Sequence, residues 1–299
     1  MSFQAKVLAD SINPQGVRLT TLELTFPRCI LAEFNTHRMI SRNAASSRAI
    51  PTEKLIQRVV DNPFIPEFAL NKKGMQAGDA LDEGDAQLAK DEWLASRDFA
   101  VAAAQNLHAL DCHKQYVNRL LEPWMWVTVI ASATEWNNLF HLRCNPDAEP
   151  SFQKIAWMAY DAMQASTPQS LVEQEWHLPL IDIDVDHPAV ENYLLSDDWN
   201  DPVEPTKVDQ HLIGEYLAKV SVGRCARVSY LTHDGKRDVV ADIELHDRLA
   251  KSGHWSPFEH VATPIPPYMM SASNFRGWFQ YRKDFSTENV YEFDPGDRS

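Results

Sequence analysis

The spacing of apolar residues changes repeatedly along this chain, and these changes constrain its fold more than any other feature of the sequence. Apolar residues at nearly every second position of 18–26 are typical of a strand with one buried face. Strands are also predicted at 4–9, 124–130 and 226–230. Helical spacing begins within 28–40 and predicts further helices at 52–62, 87–110, 133–143, 150–165, 211–220 and 239–251. Hydrophobic residues make up 44% of the chain, so these elements can form a packed core.

The segment 181–209 differs most in composition from the rest of the chain. It contains nine acidic residues and one lysine, which together account for −8 of the net charge of −14. We expect it to be an acidic surface connection between two parts, 1–180 and 210–299. Asp182, Asp184 and Asp186 leave a calcium loop open as an alternative. The alternation from 181 to 185 favours a half-buried strand, because the glycine and distal glutamate of an EF-hand are missing.

The overall charge and the cysteines exclude several classes of protein. A net charge of −14 argues against binding a polynucleotide backbone, which requires a basic face. The four cysteines have no C-x-x-C spacing, so reduced thiols are expected rather than a disulfide framework or a zinc site. No apolar run approaches the length of a membrane helix. The sequence therefore predicts an intracellular, cytoplasmic protein that does not bind membranes.

The segment 36–48 concentrates polar donors. It contains three arginines, three serines, one histidine and one asparagine, and no lysine or glutamate. Arginine forks and short hydroxyl groups are the donors that bind phosphate. The segment therefore predicts an anion site, with a solvated helix end as the alternative. Arg119 and Arg143 are further basic positions, and each taken singly is expected to be structural.

Two short segments have the pattern of a helix start. Ser132 and Glu135 match a capping box, and so do Ser256 and Glu259. The second box lies within 254–260, which also has two histidines. A metal site there would need a third ligand, and the spacing differs from that of HExxH zinc sites, so no metal is expected. A general-base histidine and an anion at the helix start both remain open.

Several blocks of this sequence together resemble the flavin-dependent thymidylate synthases, also called thymidylate synthase complementing proteins. His37-Arg38-x-x-Ser41-x-Asn43-x-x-Ser46-x-Arg48 resembles the family signature RHRxxSxNExSxR. Arg119–Pro123 resembles the family's Arg-x-x-x-Pro block, and Ser132–Arg143 with 147–149 resembles its NxRxxxNFLxLR helix and the run that follows it. Cys225–Tyr230 resembles the family's AARVSF, and His254–His260 resembles its HxTPFEH.

The order of these blocks differs from the family's usual order. The last two blocks named above normally precede the signature, whereas here they follow it. They are followed by Arg276–Arg282, which resembles a decayed copy of the family's RxWFRHR. The chain thus resembles a rearranged, phage-type branch with a partial duplication. This would place the protein in the host cytoplasm.

The resemblance implies a reaction, a fold and an assembly. The reaction is methylation of dUMP to dTMP, with methylenetetrahydrofolate as carbon donor and FAD as a hydride carrier that NADPH reduces. The fold is α/β (α+β), with an antiparallel or mixed sheet and long helices, and two degenerate halves are an open variant. A nucleotide-binding half, 1–180, and a flavin-binding half, 210–299, would form one interlocked unit. The assembly is a homo-oligomer, a tetramer, with active sites built by several subunits.

The resemblance also implies roles for individual residues. Arg143, Ser46 and His254 match catalytic positions, and Arg143 would stabilise negative charge on the uracil ring. Residues that match nucleotide-binding positions are Ser46, Ser47, Arg48, Arg119, Arg143 and Glu33. Residues that match flavin-side positions are His37, Arg38, Asn43, Asn138, Ser229, Ser256 and Glu259.

Four positions depart from the family pattern. Thr36 replaces an arginine, Ala44 a glutamate, Glu33 a glutamine and Thr134 an arginine. Because a carboxylate accepts hydrogen bonds and cannot donate them, Glu33 makes dCMP an alternative substrate. Hydroxymethylation of a pyrimidine nucleotide for modified phage DNA is a further alternative. A descendant that binds a nucleotide without catalysis is another, since Thr36 and Ala44 change the flavin signature.

Overall fold

Strands and helices alternate along the chain in the computed structural model, which describes residues 1–196, 208–229, 237–266 and 271–289. The strands are β1 (Gln4–Ile12), β2 (Arg18–Pro27), β3 (Ser41–Ala44), β4 (Trp126–Ala133), β5 (Gln169–Ser170), β6 (Ala262–Pro264), β7 (Ser271–Ala272), β8 (Phe275–Arg276) and β9 (Trp278–Gln280). The α-helices are α1 (Leu31–Phe34), α2 (Thr52–Asp61), α3 (Glu83–Ala109), α4 (Lys114–Val117), α5 (Asn137–Arg143), α6 (Pro150–Gln164), α7 (Ile183–Ser196), α8 (Gln210–Ser229) and α9 (Val239–Ser252). Short 3-10 helices cover Arg28–Ile30, Ser47–Ala49, Asn118–Trp124, Ser256–His260 and Tyr281–Asp284.

The main sheet has the strand order β3-β4-β2-β1-β5. Neighbouring strands are antiparallel except β1 and β5, which are parallel. The predicted α/β class, with a mixed sheet and long helices, is therefore confirmed. A small ribbon of β6 and β9 lies outside this sheet in the hydrogen-bonding pattern.

Helices cover both faces of the main sheet. On one face Leu22 of β2 belongs to the same buried cluster as Phe152 of α6. On the other face Ile130 of β4 clusters with Cys225 and Val228 of α8. Successive side chains of a strand point to opposite faces, so a central strand that is covered twice must be apolar or internally hydrogen-bonded on both.

A chain of buried polar side chains connects the sheet to the last third of the protein. The His177 ring lies 2.8 Å from Ser11 Oγ through Nδ1 and 2.8 Å from Thr21 Oγ1 through Nε2. Thr21 Oγ1 is 2.6 Å from Ser132 Oγ, which lies 2.8 Å from His260 Nδ1. Burial lowers the pKa of both imidazoles to about 3, so both rings are neutral near pH 7. We refer to these five residues as the buried relay.

Part of the acidic connection is a helix that is anchored by charge. Asp186 of α7 is buried and accepts two hydrogen bonds from Arg224 of α8, at 2.7 and 2.8 Å. Arg224 also donates to Asp242 of α9 at 3.0 Å. Although burial acts to raise the pKa of Asp186, the Arg224 guanidinium holds it below its ordinary value. A buried carboxylate needs such a partner, so this pair fixes α7 against α8 and α9. Residues 197–207 of the connection lie outside the described residues.

Several predicted helices are confirmed with small shifts at their ends. The helices predicted at 52–62, 87–110 and 150–165 correspond to α2, α3 and α6. The helix predicted at 239–251 is α9, and Gly253 ends it in the left-handed region with φ 72°. The helical spacing after residue 28 produces only a 3-10 turn and the short α1.

Two predicted strands are wrong. The strand expected from 181 to 185 is replaced by the start of α7, where Asp184 and Asp186 lie in the first turn and favour the positive end of the helix dipole. The strand expected from 226 to 230 is, in its described part, the end of α8. A helix that is buried on two sides is apolar all round and cannot be told from a strand by periodicity over a few residues.

Both predicted capping boxes are also wrong. Ser132 lies inside β4, and α5 begins only at Asn137, so the helix predicted from 133 is shorter. Ser256 lies within its 3-10 helix, whose N-cap is Trp255. In both cases the serine hydroxyl is bonded to a residue far away in the sequence instead of to the neighbouring backbone.

Candidate functional site

Arg143, the last residue of α5, is the centre of a polar cluster. Its Nε donates to His37 Nε2 at 3.1 Å, and its Nη1 donates to Glu33 Oε2 at 3.2 Å. Its guanidinium carbon lies 4.4 Å from the ring centroid of Phe152, a cation–π distance. Three directions of the guanidinium are thus fixed. We refer to Arg143, His37, Glu33 and Phe152 as the arginine cluster.

The His37 imidazole is held neutral. Because Nε2 accepts the hydrogen bond from Arg143, the neutral ring carries its proton on Nδ1. Burial lowers the pKa of His37, and the charges of Arg143 and Arg42 lower it further. His37 therefore orients Arg143 without adding positive charge to the cluster.

The substitution Arg143→Met is expected to raise the pKa of His37. It removes both a positive charge and the donor that stabilises the neutral ring. An NMR titration of the His37 ring protons measures the change. Arg38→Met is the matched control, because Arg38 is exposed and belongs to the same segment but does not bond to His37. An unchanged His37 pKa in Arg143→Met would contradict the geometry described above.

A cleft of about 640 Å³ opens beside the arginine cluster. Its walls are the loop 67–80, the turn 146–150, Glu33 and Arg143. The volume is within the range of small-molecule sites. Four of its lining residues are carboxylates and one is an arginine: Glu33, Glu67, Asp147, Glu149 and Arg143. Such a cleft suits a neutral, hydrogen-bonding group better than a phosphate.

Arg48 and Arg119 form a second basic group. Asn118, which is fully buried, holds their two short helices together by donating to the carbonyls of Ser47 at 2.7 Å and Ile50 at 2.9 Å. Both arginines are exposed, and neither makes an ion pair with any residue that the structure describes. Their charge is therefore available to an anion. We refer to Arg48 and Arg119 as the exposed arginine pair.

Of the two serines beside the exposed arginine pair, one is buried. Ser47 is 3% exposed, and its hydroxyl donates to Glu122 at 2.8 Å, so this hydroxyl is already used within the protein. Ser46 is partly buried and directly precedes the 3-10 helix of Arg48. Ser46 is thus better placed than Ser47 to contact a ligand.

The arginine cluster and the exposed arginine pair lie towards opposite ends of β4. Ser41 pairs with Ser132 near the end of β4 from which α5 leads to Arg143. Ala44 pairs with Val129, and the chain then continues towards Arg48. Arg119 lies in the 3-10 helix that precedes β4. Pairing from 129 to 132 alone spans about 10 Å, so the two groups are separated along this strand.

Three sequence blocks meet at Asn43. Its amide nitrogen donates to the Cys225 carbonyl at 3.0 Å, and its Oδ1 accepts from Ser256 Oγ at 3.3 Å. These contacts join residues 182 and 213 positions apart. The arginine-rich segment, the block 225–230 and the block 254–260 are therefore adjacent in the folded chain.

The remaining site candidates are distributed around this junction. Arg38, Asn138 and His254 are exposed, and His254 Nδ1 lies 2.9 Å from Ser252 Oγ. Glu259 is not free, because Arg282 donates to its Oε1 at 2.6 Å. Ser229 is the last residue of α8, and its side chain lies outside what the structure describes.

Sequence reasoning missed Phe152 and Gln280. Phe152 is 1% exposed and contacts both Arg143 and His37, but an aromatic residue at helical spacing has the same pattern as any core residue. Gln280 is fully buried and donates to Ser41 Oγ at 2.9 Å. The resemblance of Arg276–Arg282 to a family motif drew attention to the segment of Gln280 but gave no indication of this contact.

Three general features of the described residues concern metals, membranes and thiols. Within the described ranges, no group of three or more His, Cys, Asp or Glu side chains is arranged to hold a metal ion. No helix in those ranges is long and apolar enough to cross a membrane. All four cysteines are free thiols.

Structural similarity to solved proteins is partial. A UMP/dUMP methylase, PolB, from Streptomyces cacaoi, bound with 5-Br dUMP, aligns over 54% of this chain and 90% of its own, with a TM-score of 0.44 and 12% identity. A flavin-dependent thymidylate synthase, ThyX, from Helicobacter pylori, complexed with FAD and dUMP, aligns over 48% of this chain and 67% of its own, with a TM-score of 0.36 and 15% identity. No protein-family profile and no curated protein matches the chain. TM-scores below 0.5 do not establish a family or a function.

Proposed function

We propose that this protein is a flavin-dependent enzyme that methylates dUMP to dTMP, with methylenetetrahydrofolate as carbon donor and FAD reduced by NADPH. The observation that carries the proposal is the arginine cluster. In it Arg143, from the block that resembles the family helix, is fixed by His37 from the arginine-rich segment and by Glu33. A fixed guanidinium beside a cleft is the group that such a reaction requires.

Arg143 would stabilise charge on the pyrimidine ring. As C5 becomes nucleophilic, negative charge develops on the base, and a donor that is already oriented stabilises it without a reorganisation cost. The half-buried guanidinium has directions fixed by three contacts. Ser46, Arg48 and Arg119 would bind the 5′-phosphate, since planar guanidinium forks match its oxygens. His254 is an exposed imidazole and would lie next to the bound folate and flavin as a catalytic residue.

The residues around Asn43 fit FAD in part. Exposed donors at Arg38 and Asn138 would hold the cofactor, which when bound supplies the hydride, whereas the exposed Ser256 hydroxyl already donates to Asn43 Oδ1. The Asn43 amide is used by the Cys225 carbonyl and Ser256, so its role would be to position the site rather than to contact the flavin. Glu259 would also position the site rather than contact the flavin, because its carboxylate is paired with Arg282.

The visible spectrum of the purified protein tests this proposal directly. Added FAD should bind and show a flavin spectrum that changes when dUMP is added, whereas Arg48→Ala should lose nucleotide binding and keep FAD. Arg97→Ala is a matched control, since Arg97 lies on α3 outside both basic groups. A protein that resists FAD titration and fails to rescue thymidine auxotrophy would instead support the descendant that binds a nucleotide without catalysis. Thr36 favours that alternative, because its hydroxyl donates to the Glu33 carbonyl and supplies no positive charge in place of the arginine of the family pattern.

Glu33 favours dCMP as a second candidate substrate. Its Oε2 accepts from Arg143, which leaves Oε1 of a partly exposed carboxylate to accept from an amino group. Cytosine has an amino group where uracil has a carbonyl. Labelled dUMP and dCMP should be assayed with the wild type and Glu33→Gln, and dCMP turnover should be lost selectively in the variant. Exclusive turnover of dUMP by the wild type would reject this candidate, and the product mass distinguishes methyl from hydroxymethyl transfer.

A further inference from the structure

Helix α3 exposes three large apolar side chains although another side of it is packed in the core. That packed side lies against α2 and the 3-10 helix that precedes β4. Leu88 and Phe99 of α3 and Leu110, which caps its C-terminus, are 65%, 79% and 77% exposed. Single exposed apolar residues are common on protein surfaces, so the arrangement of these three decides whether they indicate an interface.

The three side chains lie on one line along the helix. With about 3.6 residues per turn, the positions 4, 7 and 11 residues before and after Phe99 all fall within about 40° of it around the helix axis. These positions, all of them exposed, are Leu88, Glu92, Ala95, Ala103, Asn106 and Leu110. No other large apolar side chain of 83–110 is exposed. We refer to Phe99 and these six residues as the α3 seam.

The order of residue types along the α3 seam is the same in both directions. From either end it is leucine, a polar residue, alanine, phenylalanine, alanine, a polar residue and leucine. Such a surface can pack on a copy of itself that is rotated by half a turn, with the two-fold axis at Phe99. Each leucine then faces a leucine and each alanine an alanine. The small side chains of Ala95 and Ala103 leave room for the phenylalanine rings at the centre.

The polar positions of the α3 seam complement each other in the same register. Glu92 faces Asn106 of the partner subunit, so its carboxylate can accept a hydrogen bond from the amide nitrogen. The two-fold axis repeats this pair on the other side of Phe99. Among the described residues, neither Glu92 nor Asn106 has a side-chain hydrogen bond or ion pair, so both side chains are available.

The distribution of charge favours antiparallel over parallel helices. All six acidic residues of 82–110 precede Phe99, and none follows it. Parallel helices would bring the two acidic halves together, with Glu92 against its own copy, and like charges that face each other repel. Antiparallel helices place each acidic half against a half without carboxylates. The opposed helix dipoles also favour this arrangement.

We propose that α3 packs antiparallel on α3 of a second copy of this chain through the α3 seam. The seam is one helix wide and about 33 Å long, so the buried area lies at the lower end of specific interfaces. Association should therefore be reversible and depend on protein concentration. The proposal is independent of the nucleotide reaction, since α3 contains none of the candidate site residues.

Sedimentation velocity of the full-length protein over a wide range of concentrations tests the proposal. The wild type should self-associate reversibly, and Phe99→Glu should need at least about tenfold higher concentration, because two carboxylates would meet at the two-fold axis. Gln105→Glu is the matched control, since it adds the same charge to α3 at an exposed position about 120° from Phe99 around the axis. It should associate as the wild type does. Both substituted positions are exposed, so both variants should fold, and far-UV circular dichroism checks this.

Equal behaviour of the wild type and Phe99→Glu at every concentration would overturn the proposal and leave this face for a different protein. An equal loss of association in Gln105→Glu would also overturn it, because the effect would then not depend on the α3 seam. Arg48→Ala should associate as the wild type does, which separates failure of this inference from failure of the proposed function.

Oxidative cross-linking tests the register. Phe99→Cys should form a disulfide-linked dimer, because position 99 lies on the two-fold axis. Ala95→Cys should cross-link when mixed with Ala103→Cys but not with itself, since its own copy lies about 12 Å away along the seam, beyond the reach of a disulfide. The wild type, with four free thiols, gives the background. Cross-linking of Ala95→Cys with itself would indicate parallel helices and overturn the proposal.

Discussion

Mixing Arg48→Ala protein with Arg143→Ala protein is expected to restore activity that neither variant has alone. Each substitution should lower dUMP turnover about 100-fold or more, because it removes an oriented charge from the nucleotide site. The two residues lie towards opposite ends of β4, and we propose that two protomers of a homo-oligomer supply them to one shared site. If two protomers of a homo-oligomer supply them, random mixing leaves about a quarter of the sites intact.

The experiment has an internal control. Arg48 and Arg119 lie on two short helices that Asn118 holds together, so Arg48→Ala mixed with Arg119→Ala should stay inactive. The variants carry different affinity tags and are refolded together, and turnover is measured on oligomers that retain both tags. Inactive mixed oligomers of Arg48→Ala and Arg143→Ala would show that the shared-site proposal is wrong.

Stability is expected to fall steeply when the pH drops below 6.5. His177 and His260 have pKa values of about 3 in the fold and ordinary pKa values of 6.5 when unfolded, because burial disfavours their charged forms. Between these values the unfolded chain binds a proton at each histidine that the folded chain does not. Each therefore lowers the free energy of unfolding by about 1.4 kcal/mol per pH unit as the pH falls. Their contribution is fully present above pH 6.5.

Urea unfolding at several pH values between 6 and 4.5 measures this slope. Together the two histidines should give about 3 kcal/mol per pH unit, a large part of the stability of an ordinary domain. His260→Gln should lose about half of that slope, whatever it does to the stability at pH 7. His254→Gln is the control, because His254 is exposed and should leave the slope unchanged. An unaltered slope in His260→Gln would show that this imidazole is not held neutral by burial.

Local patterns predicted much of the fold. The strands near 4–9 and 18–26 and the helices α2, α3, α6 and α9 follow from periodicity and from terminators such as Gly253, which act within a few residues. The pattern failed where burial on two sides removed the periodicity, as in α8. It failed also at Ser132, whose partners Thr21 and His260 are more than 100 residues away.

The candidate site also combines features that local sequence predicts with contacts that it does not predict. The residue types of the site follow from the sequence: an arginine-rich segment, Arg143 at a helix end, and the blocks around Cys225 and Ser256. How these residues are used depends on the tertiary structure. It fixes Arg143 between His37, Glu33 and Phe152, commits Glu259 to Arg282, and separates Arg48 from Arg143 along β4. Helix and strand formation depend on near neighbours in the chain, which the sequence shows directly. Hydrogen bonds, cation–π contacts and burial, in contrast, join side chains that meet only after the sheet and its covering helices have assembled.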